Sequence, residues 1–164
     1  MRIVAQRVSR AEVRVEGKVA GAIGRGLLLL VGVARGDGPD QVERAAHRFA
    51  TLRVFEDGDG KMNLGLDEIG GAVLLVSQFT LAGSIRRGRR PDFFAAAPPA
   101  EAEPLVTALV EALRERGVTV ATGVFRAMME VDLVNDGPVT LVWEDRPEKQ
   151  GTGDRGPGTE KEKK

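Results

Sequence analysis

No cysteine occurs in the 164 residues, which excludes a disulfide framework, a thiolate zinc site, an iron–sulfur cluster and a cysteine nucleophile. A single histidine, His47, leaves one chain unable to build a multi-histidine metal site. Aromatic residues make up only 4%, so a core drawn from the 42% of apolar residues must be mainly aliphatic. The longest apolar runs, residues 27–31 among them, fall far short of the ~20 residues that span a bilayer. The first eight residues carry Arg2 and Arg7 but no apolar run of signal-peptide length. No membrane partner is expected, and a cytoplasmic location is. Basic and acidic residues cancel at 24 each, which argues against a wholesale nucleic-acid coat or a polybasic membrane binder.

The length suggests one domain. Composition places its boundary near 145. Residues 146–164 hold no apolar residue, four glycines, two prolines, six basic and four acidic side chains. Such a segment cannot bury surface to offset its ordering entropy, so a disordered polar tail is expected there. The remaining body, 1–145, then carries 18 basic and 20 acidic residues, a net of −2. Any polyanion contact must come from a local cluster.

Within the body, residues 3–15 and 19–23 flank the turn Glu16-Gly17-Lys18 and read as a β-hairpin. Residues 27–33 read as a buried strand. Gly38-Pro39-Asp40 opens a helix whose Val42, Ala45, Ala46, Phe49 and Leu52 form one apolar stripe. A short strand is expected at 53–55. Glu56-Asp57-Gly58-Asp59-Gly60 reads as a turn, since it lacks the remaining ligand spacing of a calcium loop. The strongest strand spans 72–81. A second helix covers 98–116, with Leu105, Ala108, Leu109, Ala112 and Leu113 on one face. Pro104 within it marks either the helix start or a kink. Further strands are expected at 118–121, 131–134 and 139–143, the last two around a tight connection at Asn135-Asp136-Gly137-Pro138. Two main helices and six or more strands predict an α+β domain with a mostly antiparallel, barrel-like sheet.

Three motifs bear chemistry. Ser77-Gln78-Phe79-Thr80-Leu81 places polar groups at the end of the strongest strand. Continued alternation predicts Ser77, Phe79 and Leu81 on one face and Gln78 and Thr80 on the other. The same residues would equally serve a strand end whose hydroxyls cap a turn. A hydroxyl nucleophile normally needs a base. His47 lies on the flank of an apolar helix stripe and reads as structural or solvated, so a serine–histidine–acid triad is disfavoured. Asn135-Asp136-Gly137-Pro138-Val139-Thr140 is a turn in its plainest reading. An X–Pro bond is also where a cis peptide is accessible, and a cis Gly–Pro would aim backbone carbonyls in a fixed direction. Arg86-Arg87-Gly88-Arg89-Arg90 can contact phosphates or stand as a solvated loop.

Gln6-Arg7-Val8, Gly60-Lys61-Met62-Asn63-Leu64, Ser77-Gln78-Phe79-Thr80-Leu81 and Asn135-Asp136-Gly137-Pro138-Val139-Thr140 occur in this order. Together they make the chain resemble the D-aminoacyl-tRNA deacylase family over roughly residues 1–143. The resemblance implies a cytoplasmic homodimer with a cross-subunit active site. Such a dimer hydrolyses the ester joining a D-amino acid, or mischarged glycine, to the tRNA 3′ end, with no metal or organic cofactor. It implies that Ser77, Gln78, Phe79 and Thr80 surround the ester. It implies that Gly137-Pro138 is a cis dipeptide reaching into the partner's pocket and excluding L-amino acids, with Arg7 supporting it. It also implies that Phe125 and Met129 receive the terminal adenine. A small-molecule aminoacyl esterase and a non-catalytic RNA-end-binding module are the alternatives.

Overall fold

The computed structural model describes residues 1–147; apart from Arg146 and Pro147, the expected polar tail lies outside the described residues. Strands β1 (Arg2–Val15) and β2 (Lys18–Ile23) form the expected hairpin. Glu16 and Gly17 turn it at φ of 51° and 76°. Two successive positive φ values match the twist of the flanking strands. The chain continues through β3 (Gly26–Gly32), α1 (Pro39–Ala50), the short pair β4 (Phe55–Glu56) and β5 (Met62–Leu64), and β6 (Ala72–Ser77). A single 3-10 turn (Phe79–Ala82), α2 (Pro99–Glu115), β7 (Thr119–Thr122) and β8 (Glu130–Glu144) complete it.

The main sheet runs β2-β1-β3-β6-β7, and β8 covers the other edge of β1. Pairing is antiparallel throughout except for β3–β6 and β6–β7, which are parallel. The sheet curls until β2 approaches β7. A Cβ added to Gly21 would lie 2.4 Å from the Thr122 carbonyl oxygen, so only glycine permits that near-closure. The result is the expected α+β, barrel-like body with two helices.

The run 27–31 is continuous in sequence because β3 is covered on both faces. Leu27, Leu29 and Val31 pack with Val73 and Leu75 under the helices, against Phe49 of α1 and Leu109 and Leu113 of α2. Leu28 joins Val8, Val13, Leu74 and Val76 inside the curl of the sheet. The α1 stripe is buried as expected at Val42, Ala45, Ala46 and Phe49, but the helix ends at Ala50, so Leu52, expected on the same stripe, lies beyond it and packs half-buried against the core. Gln41 reaches back at the helix start, its Oε1 accepting from the Gly38 amide at 2.8 Å. Pro104 lies inside α2, which starts at Pro99.

The fold corrects three further expectations. The strand expected at 72–81 ends at Ser77. Beyond it β3 offers no further rung, and the Gln78 amide makes its last bond to the Val31 carbonyl at 2.7 Å. The chain then coils into the 3-10 turn, and the alternation expected for Ser77 through Leu81 does not apply. Gly32 makes room for this, since a Cβ there would meet Leu81 Cβ at 2.8 Å. Secondly, the two strands expected around Asn135–Pro138 are one strand, β8, both halves of which pair with β1. Thirdly, Ala108 of α2 is exposed; the buried face turns through Ala102, Leu109, Val110 and Leu113.

Candidate active site

The 3-10 turn sits at the end of β6 next to the start of β1. Arg2 Nη1 donates to the Leu81 carbonyl at 2.8 Å, while Arg2 Nη2 holds Glu144 at 3.1 Å. The Arg146 and Arg2 guanidinium groups hold the Glu144 carboxyl below the usual carboxylate range. Thr80 and Phe79 are exposed, and Gln78 Nε2 donates to Thr80 Oγ1. Phe79 is fixed on its other side by an edge-on contact with Phe93, ring centroids 5.1 Å apart. The N–H groups of Phe79 and Thr80 open the turn and so take no partner within it.

Ser77 and Phe125 line one cavity of about 230 Å³, walled by Leu75, Val110, Thr122 and Gly123. Met129 lies beside it, its Sδ where a Gly123 Cβ would come within 2.7 Å. Glu111 and Arg114 of α2 line the same cavity and are paired at 2.8 Å. Neither was foreseen from sequence, because both look like ordinary solvated helix charges.

Arg7 and Gly137–Pro138 form a second assembly. Between Gln6, paired with Thr140, and Val8, paired with Asn135, β8 carries extra residues that bulge out opposite Arg7. Arg7 is 5% exposed. Its Nε donates to the Asp136 carbonyl at 2.8 Å and its Nη1 to the Val54 carbonyl at 2.7 Å. Glu56 and the Asp136 carboxylate stand 3.8 Å away. The Gly137–Pro138 bond is cis, Gly137 has φ of 144°, and both residues are exposed. Asn135 closes the bulge: its Oδ1 accepts from the Val139 amide at 2.7 Å, and its Nδ2 donates to Thr140 Oγ1 at 3.0 Å. The Asn-Asp-Gly-Pro run carried the signal for this side chain-to-backbone closure.

These two assemblies lie apart in one chain. Ser77 pairs with Val31, which pairs with Ile3, four residues from Arg7. That is about 13 Å along β1, with three strand spacings, about 14 Å, between β6 and β8. His47 is exposed on α1 and lines grooves that contain neither Ser77 nor Thr80. Asp57 turns its carboxylate onto its own loop. The Lys61 and Asp59 amides bond to it and lower its pKa, as befits a turn. Among the described residues no group of three histidine or carboxylate side chains could hold a metal ion, and no helix is long and apolar enough to cross a membrane.

Fold and site together define a small α+β barrel with a polar strand-end site and a rigidly anchored Gly–Pro loop. A family model described as D-Tyr-tRNA(Tyr) deacylase matches residues 4–144. A D-aminoacyl-tRNA deacylase of Anaeromyxobacter dehalogenans is 60% identical over 146 residues, 89% of this chain and 98% of that one. One of Thermus aquaticus is 57% identical over 151 residues, 92% of this chain and 99% of that one. A solved c-Myc DNA Unwinding Element Binding Protein is 38% identical, with a TM-score of 0.83 over 90% of this chain and 100% of that one. A probable eukaryotic D-amino acid tRNA deacylase, 18% identical, shares the fold at a TM-score of 0.74 over 87% of this chain and 97% of that one. The chain belongs to the D-aminoacyl-tRNA deacylase family.

Proposed function

We propose that this chain is an editing hydrolase that cleaves the ester between a D-amino acid, or glycine, and the 3′ end of tRNA. It acts as a homodimer in the cytoplasm, where aminoacyl-tRNA is made, and residues 1–145 form the catalytic domain. The observation that carries the reading is the Arg7-anchored, exposed Gly137–Pro138 loop, which stands well away from its own chain's Ser77–Thr80 turn. A second copy brings one chain's loop to the other's turn.

An aminoacyl ester is an activated bond, so a strong nucleophile is not required. Orienting a water for attack on the ester carbon suffices, with the neighbouring ribose 2′-hydroxyl placed to hydrogen-bond it; the ribose oxygen leaves with a proton and the amino acid departs as the free carboxylate. Ser77, Gln78 and the amides of Phe79 and Thr80 polarise the carbonyl and hold the charge that develops on its oxygen. Phe125 and Met129 receive the terminal adenine, Phe125 by stacking and Met129 by packing.

Handedness is sensed without side-chain contacts. With amino group and ester both pinned, an L side chain projects where a D residue carries only hydrogen. The main chain of the Gly137–Pro138 loop occupies that place, and glycine, lacking a side chain, passes.

Release of D-tyrosine from D-tyrosyl-tRNA by the purified chain tests the activity. Equal cleavage of a D-tyrosine alkyl ester would make it a small-ester esterase. Retention of tRNA with no release would make it an RNA-end-binding module.

A further inference from the structure

The segment following the 3-10 turn is absorbed by neither the cavity nor the Gly–Pro loop. Ser84 and Asp92 pin its base through reciprocal backbone hydrogen bonds of 2.9 and 3.0 Å. Gly88, with φ of 73°, turns its tip. Arg86, Arg87, Arg89 and Arg90 crowd that tip, all exposed. Their guanidinium groups hold no partner among the described residues, whereas those of Arg2, Arg7, Arg14, Arg53, Arg114 and Arg116 all do. Four unpaired cations within five residues repel one another, so their concentration points to an anion that neutralises them.

The loop is tied to the catalytic turn at both ends. Ser84 follows Thr80 by four residues, and Phe93 packs edge-on against Phe79. Gly83 allows this contact, since a Cβ there would meet the Phe93 ring at 2.7 Å. Arg35 fixes the far side, its Nε donating to the Phe94 carbonyl at 2.8 Å and its amide to the Ala95 carbonyl at 2.9 Å. That anchoring holds the Phe94 backbone while the residue is 84% exposed, an apolar face four positions along the chain from Arg90. Cations that track a phosphate backbone, next to an aromatic face on which a base stacks, are the elements of a single-strand binding surface. On a slightly acidic body, this cluster is suited, among the described residues, to a polyanion.

We propose that the 84–94 loop is a docking platform for the acceptor strand of tRNA. Arg86, Arg87, Arg89 and Arg90 bind its backbone phosphates, and Phe94 stacks an unpaired base upstream of the terminal adenosine. This rests on the tRNA-directed reading above.

The test is fluorescence anisotropy of three probes between 50 and 200 mM salt. They are an RNA hairpin with an acceptor duplex and a single-stranded 3′-CCA end, its blunt-ended counterpart, and single-stranded DNA of the same 3′ sequence. Replacing all four arginines by alanine is expected to flatten the log–log salt slope for the overhang hairpin by about 2–3. Affinity near 0.1 M salt falls tenfold or more by the same order-of-magnitude reasoning. The corresponding four-lysine variant keeps the slope. Phe94→Ala weakens the overhang hairpin about fivefold or more and leaves the blunt duplex unchanged.

A wild-type slope and affinity in the alanine variant would overturn the proposal. So would loss of slope in the lysine variant, or DNA bound as tightly as the overhang hairpin. Release from D-tyrosyl-tRNA is read in parallel. No release by the wild-type chain, with binding still arginine-dependent, sinks the activity and upholds the platform. Release with arginine-independent binding sinks the platform alone.

Discussion

Arg7 joins the Gly–Pro loop to the body of the barrel: its Nε donates to the Asp136 carbonyl at 2.8 Å while its Nη1 donates to the Val54 carbonyl at 2.7 Å. A planar guanidinium spans the two acceptors at once from a buried position; an ammonium group satisfies one. Arg7→Lys is therefore expected to destabilise the fold by about 2–4 kcal/mol, the scale of charge-assisted hydrogen bonds lost at a buried site. Urea denaturation measures this, and deacylation is expected to fall further than the folded fraction does. Wild-type stability in the variant would remove Arg7 as the anchor.

Gly137→Ala tests the loop itself. At φ of 144° a side chain is strained, and an added Cβ would stand 2.7 Å from Val139 Cγ2 and 3.3 Å from Arg7 Nη2. Both neighbours are held, so the loop must shift, at about 1–3 kcal/mol for the backbone alone. The expected result is a smaller ratio of D- to L-tyrosyl-tRNA cleavage, read by release of labelled amino acid. An unchanged ratio would separate the loop from discrimination.

Thr80→Val removes the hydroxyl that Gln78 holds while keeping the shape of the exposed turn. If placement and backbone amides carry the reaction, turnover stays within about tenfold of wild type, since only the hydrogen bond that orients Gln78 is lost. A covalent role for Thr80 would show as near-complete loss together with an acyl-enzyme trapped from the wild-type chain.

Glu144 gives a pH dependence of known sign. Arg146 and Arg2 lower its folded pKa below the ordinary 4.5, so its contribution to stability is present above the unfolded value. That contribution is lost as pH falls through the lowered folded value. Urea midpoints are expected to fall with acid below pH 4.5, with no contribution to slope from this group near neutrality. Glu144→Gln should make the acid limb shallower; an identical limb in the variant would show that the Arg146 and Arg2 contacts add nothing.

The fold was legible where the pattern was local. The α1 stripe from Val42 to Phe49 and the hairpin turn at Glu16-Gly17 needed only neighbours in sequence. The 3-10 turn was not, because the end of the β3 pairing and the room left by Gly32 both belong to another strand. Nor was the unity of β8, since Asn135-Asp136-Gly137-Pro138 has turn chemistry and only pairing with β1 shows that the strand resumes in the same direction. The motif residues of the candidate site stood out by type and order, and the cavity joins Ser77 to Phe125 as their shared surface. Arg2 gave no sign of its role, since its contact with Leu81 spans 79 positions of chain.

The most direct test of handedness read by main chain is one deacylation time course on matched D-tyrosyl-, L-tyrosyl- and glycyl-tRNA. D-tyrosine and glycine are expected to be released, while the L-tyrosyl ester decays no faster than in buffer. Release of L- and D-tyrosine at similar rates would contradict it.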